Sequence, residues 1–271
     1  MKNTKRQTWE IRAAGAAYLP GFALCYLLPF GMTAWYAFIR SAFDHQFVGL
    51  DNFSYVLQNK YFALGSGNLV LLGGVMMLLS FALILLLAPL LLRHPKIAKP
   101  GAAILILPLL IPSISAVTVW KMMFDTDFVF HPISSRWALI TLFLWKFSGI
   151  GTVLLWTELR MIPSEILDAA AMDGAGKMRT YIFIQLPLSG KSLTIAGTVL
   201  LMFLLRVYKE SYLLFGAYPS PDLYLLQHYM NHQYLKMNFQ YVAAAAVILT
   251  AFALLLYIVA FLLMKKRKEA Q

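Results

Sequence analysis

Apolar residues arrive along this chain in unbroken blocks of about 20 or more, the length a helix needs to cross roughly 30 Å of hydrocarbon. Six such blocks are predicted, over residues 13–38, 64–92, 101–123, 137–160, 190–216 and 240–264, separated by polar, Pro-rich or charged segments. Runs such as 69–92 and 242–264 do not alternate, whereas membrane strands read as alternating segments of about 10 residues. The expected fold is therefore an all-α membrane protein of six spans, with residues 1–271 forming one membrane domain. The first block follows a basic stretch (Lys2, Lys5, Arg6 and Arg12). It is longer than a signal-peptide core, lacks an evident cleavage site, and is read as a membrane helix.

Composition agrees. Of 271 residues, 60% are hydrophobic and 13% charged, and the mean hydropathy is +0.68. Soluble domains carry about 25% charged residues, so a soluble enzyme, a disordered chain and a disulfide scaffold are excluded. The lone Cys25 gives no redox signal. The formal net charge is +11, and its placement matters more than its size, because basic residues mark the cytoplasmic side of membrane helices. With the amino terminus inside, about two thirds of the Lys and Arg fall on the cytoplasmic side. They include Arg93, Lys96, Lys99, Arg160, Lys177, Arg179, Lys191 and the run at 265–268. Both termini are expected in the cytoplasm, in a cell (inner or cytoplasmic) membrane. The carboxy-terminal basic run is expected to meet anionic lipid headgroups of the bilayer, not nucleic acid.

Two spans are unusual. The third holds Pro108 and Pro112, each of which removes a helix hydrogen bond, and leaves the apolar run through Ser113, Ser115, Thr118, Trp120 and Lys121. The fifth ends in Arg206, Tyr208, Lys209, Glu210 and Tyr212. Ionisable groups at membrane depth are costly and face a cavity or each other. Two readings stay open: helix ends at the interface, or a substrate path lined by Ser113, Ser115, Trp120, Lys121, Tyr208, Glu210 and Tyr212. Trp120, Tyr208, Tyr212 and Tyr218 suit stacking on sugar rings as well as an interfacial aromatic belt. Lys146, the one mid-span charge, has no carboxylate partner in its own span; a pore role, snorkelling and a cross-helix pair are all open.

The most informative segment is the loop from Pro163 to Pro187, on the cytoplasmic side in this topology. Its pattern predicts a short helix, a Gly turn and a second short helix. Pro163 and Ser164 give a start signal, and Gly174 and Gly176 a stop. Ala169, Ala170 and Ala171 leave a helix face with little bulk, suited to docking in a partner's groove. Asp168-Ala169-Ala170, Gly174 and Ile184-x-Leu186-Pro187 resemble the EAA loop of permease subunits of binding-protein-dependent ABC importers, with Asp168 standing where that family usually has Glu. Phe47-Val48-Gly49-Leu50-Asp51-Asn52-Phe53, the Pro108…Pro112…Trp120 pattern, and Glu210-Ser211-Tyr212-Leu213-Leu214 before the turn at 216–219 resemble the carbohydrate branch of the same type I importers, the maltose and glycerol-phosphate transporter kind.

The resemblance implies a six-helix permease fold with a cytoplasmic coupling helix, and half of a translocation path for a sugar or oligosaccharide. It implies a second permease subunit, two cytoplasmic ATPase subunits and an extracytoplasmic substrate-binding protein as partners. This chain would not be an enzyme and would hold no cofactor; ATP and Mg would belong to the partner ATPase. The implied coupling residues are Glu165, Asp168, Ala169, Ala170, Asp173, Gly174, Ala175, Ile184, Leu186 and Pro187.

Rival chemistries are weaker. A phosphate loop needs Gly-x-x-x-x-Gly-Lys-Ser/Thr; Gly190-Lys191-Ser192 has the tail, but Gln185 stands at the first Gly position. His228 and His232 share a helix face without a third ligand nearby, so paired polar groups are expected there, not a metal. Asp125 and Asp127 lack a convergent His or nucleophile and are expected in a solvated turn. Gly149 and Gly151 are expected to permit close helix packing. A stand-alone secondary transporter of a small solute is the alternative function, and it leaves the 163–187 pattern unexplained.

Overall fold

In a computed structural model, residues 18–123 and 132–269 are described. The basic stretch at 2–12, the start of the first span, and Asp125 and Asp127 lie outside them. The described helices are α1 (residues 18–36), α2 (Asp51–Gln58), α3 (Lys60–Arg93), α4 (Pro95–Leu110), α5 (Ser113–Met123), α6 (Pro132–Arg160), α7 (Ser164–Met172), α8 (residues 177–188), α9 (Gly190–Leu204), α10 (Tyr208–Phe215), α11 (Leu226–Leu235) and α12 (Phe239–Glu269). By length and composition, α3, residues 135–160 of α6, the run 190–215 and residues 239–259 of α12 can each cross a membrane. The bent pair α4–α5 makes a fifth if counted as one span.

The third span, expected over 101–123 and kinked or broken at its prolines, is broken at Pro112 and not at Pro108. It begins at Pro95 and bends by 98° between α4 and α5. Pro112 is the cause: a residue before proline is pushed out of the helical region, and Ile111 accordingly has ψ 128°. The fifth span is likewise interrupted, between Leu204 and Tyr208. The second begins earlier than expected, at Lys60, and the last helix continues to Glu269.

The described residues fall into two compact units, one drawn from 18–63 with 229–253, the other from 64–123 and 132–228 with 254–269. In the first, α1 widens into a π turn at Ala23–Leu27, where the Leu28 N–H reaches back to the Ala23 carbonyl. The next residue is Pro29, which has no N–H to continue the ordinary ladder. The segment 47–53, which carries part of the resemblance, is a turn that runs into the first residues of α2. Ile39 and Phe47 form an antiparallel bridge, Gly49 takes φ +60°, and buried Asn52 donates to the Ala37 and Ile39 carbonyls at 3.0 and 2.8 Å. Tyr55 stacks on Tyr241 at 4.0 Å between ring centres, and Phe62 meets the edge of Tyr229.

The second unit is centred on α6, whose Leu139, Leu142, Phe143, Leu155 and Leu159 are buried. Glycines let its neighbours close in, as expected for Gly149 and Gly151. A Cβ on Gly149 would run into the Leu105 carbonyl of α4, and one on Gly151 into Ile84 of α3. Without a hydrophobic driving force between helices in lipid, such close backbone approach carries much of the association. Overpacking of this kind costs about 1–3 kcal/mol, so Gly149→Ala should lower the unfolding temperature of the detergent-solubilised protein. Gly74→Ala, where a Cβ meets nothing within 4 Å, should be neutral or stabilise by up to about 1 kcal/mol.

Candidate functional site

Two arrangements in the second unit carry chemistry. The first is a buried polar knot where the two interrupted spans meet α6. Lys146, at the middle of α6, is 4% exposed, and Glu210 of α10 is also 4% exposed. Lys146 Nζ donates to Glu210 Oε1 at 2.9 Å and to Ser113 Oγ at 2.7 Å. The Ser113 hydroxyl donates to the same Glu210 oxygen at 2.8 Å. The result is a closed triangle joining the first residue of α5, the centre of α6 and the first turn of α10. An unpaired charge taken out of water is severely penalised, so the ammonium and carboxylate answer each other here. Of the readings open for Lys146, the structure selects the cross-helix pair.

The other path candidates part company. Trp120 is buried and its ring lies 5.1 Å from that of Trp145, beside the knot. Ser115 and Lys121 are exposed on α5, and Tyr212 is exposed on α10. Half-buried Tyr208 turns its ring to the edge of buried His228, which also stacks with Tyr224. His228 Nδ1 accepts the Leu225 N–H at 3.0 Å. Among the described residues no three His, Cys, Asp or Glu side chains group around a possible metal. Gln227 donates to the Leu205 carbonyl inside the fifth-span break at 3.0 Å. Asn68 of α3 holds the Pro221 and Tyr224 carbonyls, and Arg136 pairs with Asp222 at 2.6 Å.

The second arrangement is the 163–187 segment. Its first helix, α7, presents Glu165, Asp168 and Ala169 to the outside while Ala170 is buried. Its stop is built as the sequence predicts at Gly174, which takes φ +76°. The Gly174 N–H bonds the Ala171 carbonyl at 3.0 Å and the Ala175 N–H bonds the Ala170 carbonyl at 2.9 Å, with Asp173 as the exposed C-cap. This paired closure satisfies two of the last carbonyls and requires a left-handed residue. The start differs from expectation: Pro163 is the N-cap residue, no side chain caps the helix, and Ser164 is the first helical residue. Gly176 also needs no glycine, with φ −67° and ψ 160°.

The second helix, α8, contains a π turn at Tyr181–Gln185, closed by the Leu186 N–H on the Tyr181 carbonyl just before Pro187. Ile184 and Leu186 are half-buried, Leu186 against the apolar core, and Pro187 is exposed. Sequence reasoning missed Tyr181, whose hydroxyl donates to the Leu85 carbonyl of α3 at 2.7 Å. Burial pushes its phenol up to about 12. The raised value means the group holds its proton, and its donor role, until pH climbs through that range.

Truncating one member of a buried pair strands the other and costs about 3–5 kcal/mol, while replacing both with apolar groups is close to neutral. Lys146→Met and Glu210→Met should therefore each lower the thermal stability of the purified protein sharply. The double variant Lys146→Met/Glu210→Met should recover most of the loss, a coupling that a double-mutant cycle reads directly.

No protein-family model matches the chain. In sequence it is 27% identical to the diacetylchitobiose uptake system permease protein NgcF of Streptomyces coelicolor, an alignment covering 89% of this chain and 78% of that one. It is 28% identical to the trehalose/maltose transport system permease protein MalF of Thermococcus litoralis, over 72% of each. In fold it matches a chain of a bacterial ABC transporter that imports the acidic polysaccharide alginate, with TM-score 0.79, 19% identity and 98% of both chains covered. A chain of a bacterial alginate ABC transporter in complex with its pentasaccharide-bound periplasmic protein matches with TM-score 0.75 and 21% identity, over 96% of this chain and 94% of that one. Along most of its length the chain is thus similar in sequence to permease subunits of ABC importers, and it shares the helical fold of two solved importer chains.

Proposed function

We propose that the chain forms half of the path by which an ATP-driven importer moves a sugar or oligosaccharide across the cytoplasmic membrane. The observation that carries the coupling role is α7: a short helix with a small-residue, acid-bearing outer face and a glycine-built stop, held on an apolar bundle. A protruding helix of this kind suits a partner's groove. The carbohydrate assignment draws on the names of the relatives, which cover diacetylchitobiose, trehalose/maltose and xylose/arabinose uptake.

In this reading α1, α3, the pair α4–α5, α6, the run α9–α10 and α12 are six spans of one membrane domain, with both termini in the cytoplasm. A second permease completes the path, and an extracytoplasmic binding protein delivers the sugar. Two cytoplasmic ATPase subunits bind ATP and Mg and perform the hydrolysis; no bond is made or broken in this chain. Each permease docks its coupling helix on one ATPase, through Glu165, Asp168, Ala169, Ala170, Asp173, Gly174 and Ala175 here, with Ile184, Leu186 and Pro187 anchoring the following helix. ATP shifts the balance between inward- and outward-facing states only through contacts that differ between them, and α7 is where this chain makes them. Ser113, Lys146 and Glu210 brace the two interrupted spans beside that path, with Trp120, Tyr208 and Tyr212 as its aromatic lining and Ser115 and Lys121 on its polar flank.

A gentle-detergent pull-down of the chain tests this. A second permease and an ATPase should co-purify, and Asp168→Lys, which inverts the charge on the docking face, should weaken or abolish recovery of the ATPase alone. A chain that purifies by itself and moves solute into vesicles without ATP overturns the proposal in favour of a secondary transporter.

A further inference from the structure

α3 contains Pro89 in its interior. Proline has no N–H, so the carbonyl one turn earlier, that of Leu85, loses its in-helix donor. Among apolar neighbours such a carbonyl must be answered by another group. The group that answers it is not on α3: it is the Tyr181 hydroxyl, at 2.7 Å, from the opening of the π turn that follows the α7 stop. The surrounding stretch of α3 also makes close contacts with two other helices. Ile84 is fully buried and lies where a Cβ on Gly151 of α6 would be, and the Phe81 ring lies 3.0 Å from the Cβ position of Gly197 on α9. A displacement of the 164–188 segment therefore reaches α3 at the point where α3 is keyed to two other long helices.

We propose that Tyr181 is a positioning residue for energy coupling: its hydroxyl, seated on the acceptor that Pro89 creates, pins the coupling segment to α3 and passes the movement of α7 into the bundle. The inference rests on the proposed docking of α7 on an ATPase. Without the pin, α7 can follow its partner while α3 lags, so ATP is hydrolysed with less solute moved.

The test uses the full transporter, purified through this chain and placed in vesicles with its binding protein and a radiolabelled sugar that the wild-type complex imports. The readout is solute moved per ATP hydrolysed, with the melting temperature of each complex measured beside it. Tyr181→Phe removes one oxygen and should lower that ratio about fivefold, the factor a single neutral hydrogen bond is worth, while the ATPase still co-purifies. Pro89→Ala returns an N–H to the Leu85 carbonyl and should lower the ratio on its own. Adding Tyr181→Phe to Pro89→Ala should then cost little more, a non-additivity that general loosening of the fold does not produce. An unchanged ratio in Tyr181→Phe overturns the inference and leaves the docking proposal standing, as does a fall of equal size in both backgrounds. Recovery of the wild-type chain without any ATPase overturns both.

Discussion

A backbone carbonyl or amide in hydrocarbon has no water to turn to, and each unanswered one costs several kcal/mol. This chain nevertheless places prolines inside or beside its apolar helices, and much of its architecture is a set of answers to them. Before Pro29 and Pro187 the helix widens into a π turn, so that the preceding residue bonds five positions back. At Pro112 the helix turns through 98°. At Pro89 the freed carbonyl is taken by a tyrosine from a different segment. At the interruption of the fifth span, Gln227 fills the same need for Leu205. These are local solutions with longer-range consequences, because two of them recruit a partner from elsewhere in the chain.

The buried pair belongs to the same economy of polar groups. A helix broken at Pro112 brings the first residue of its second half, Ser113, into the interior. A hydroxyl there can bridge an ammonium and a carboxylate. Lys146 and Glu210 satisfy each other and Ser113 in a compact triangle, which explains how two ionisable side chains persist within an apolar protein. The pair adds little to stability compared with well-packed apolar groups, but once present it is expensive to separate. Its structural effect is to tie the second half of one broken span and the last turns of another to the centre of α6.

The sequence made some of this legible and hid the rest for identifiable reasons. Long apolar blocks gave the helices, because length and hydropathy alone set that signal. Gly174 was readable because a helix stop requires a residue tolerant of positive φ, and Gly149 because small residues mark close contacts. Pro108 and Pro112 announced a disturbance, but its size depended on whether the chain resumed in line or at an angle. The partner of Lys146 was invisible because it sits 64 positions away on another helix, and no local spacing records that. Tyr181 was hidden in the same way: its meaning depends on Pro89, and neither residue is informative alone.

The strengths of these contacts decide which parts of the bundle can move separately. Pulling Lys146 from Glu210 would leave two uncompensated charges in an apolar interior, a loss far larger than that of one neutral hydrogen bond. The ends of α5 and α10 nearest the knot must therefore travel with α6 as one body. The glycine contact of Gly149 with the Leu105 backbone extends that body to α4, since interlocked backbones cannot slide without first separating. The attachment of Tyr181 to Leu85 is of a different order: a single neutral hydroxyl on a single carbonyl, half-buried, worth far less than a buried ion pair is costly to break. Motion that begins in the 164–188 segment thus reaches α3 through a weak and specific link, beside a body that is strongly braced, and a weak link of this kind is where a small change in one segment can be transmitted or lost.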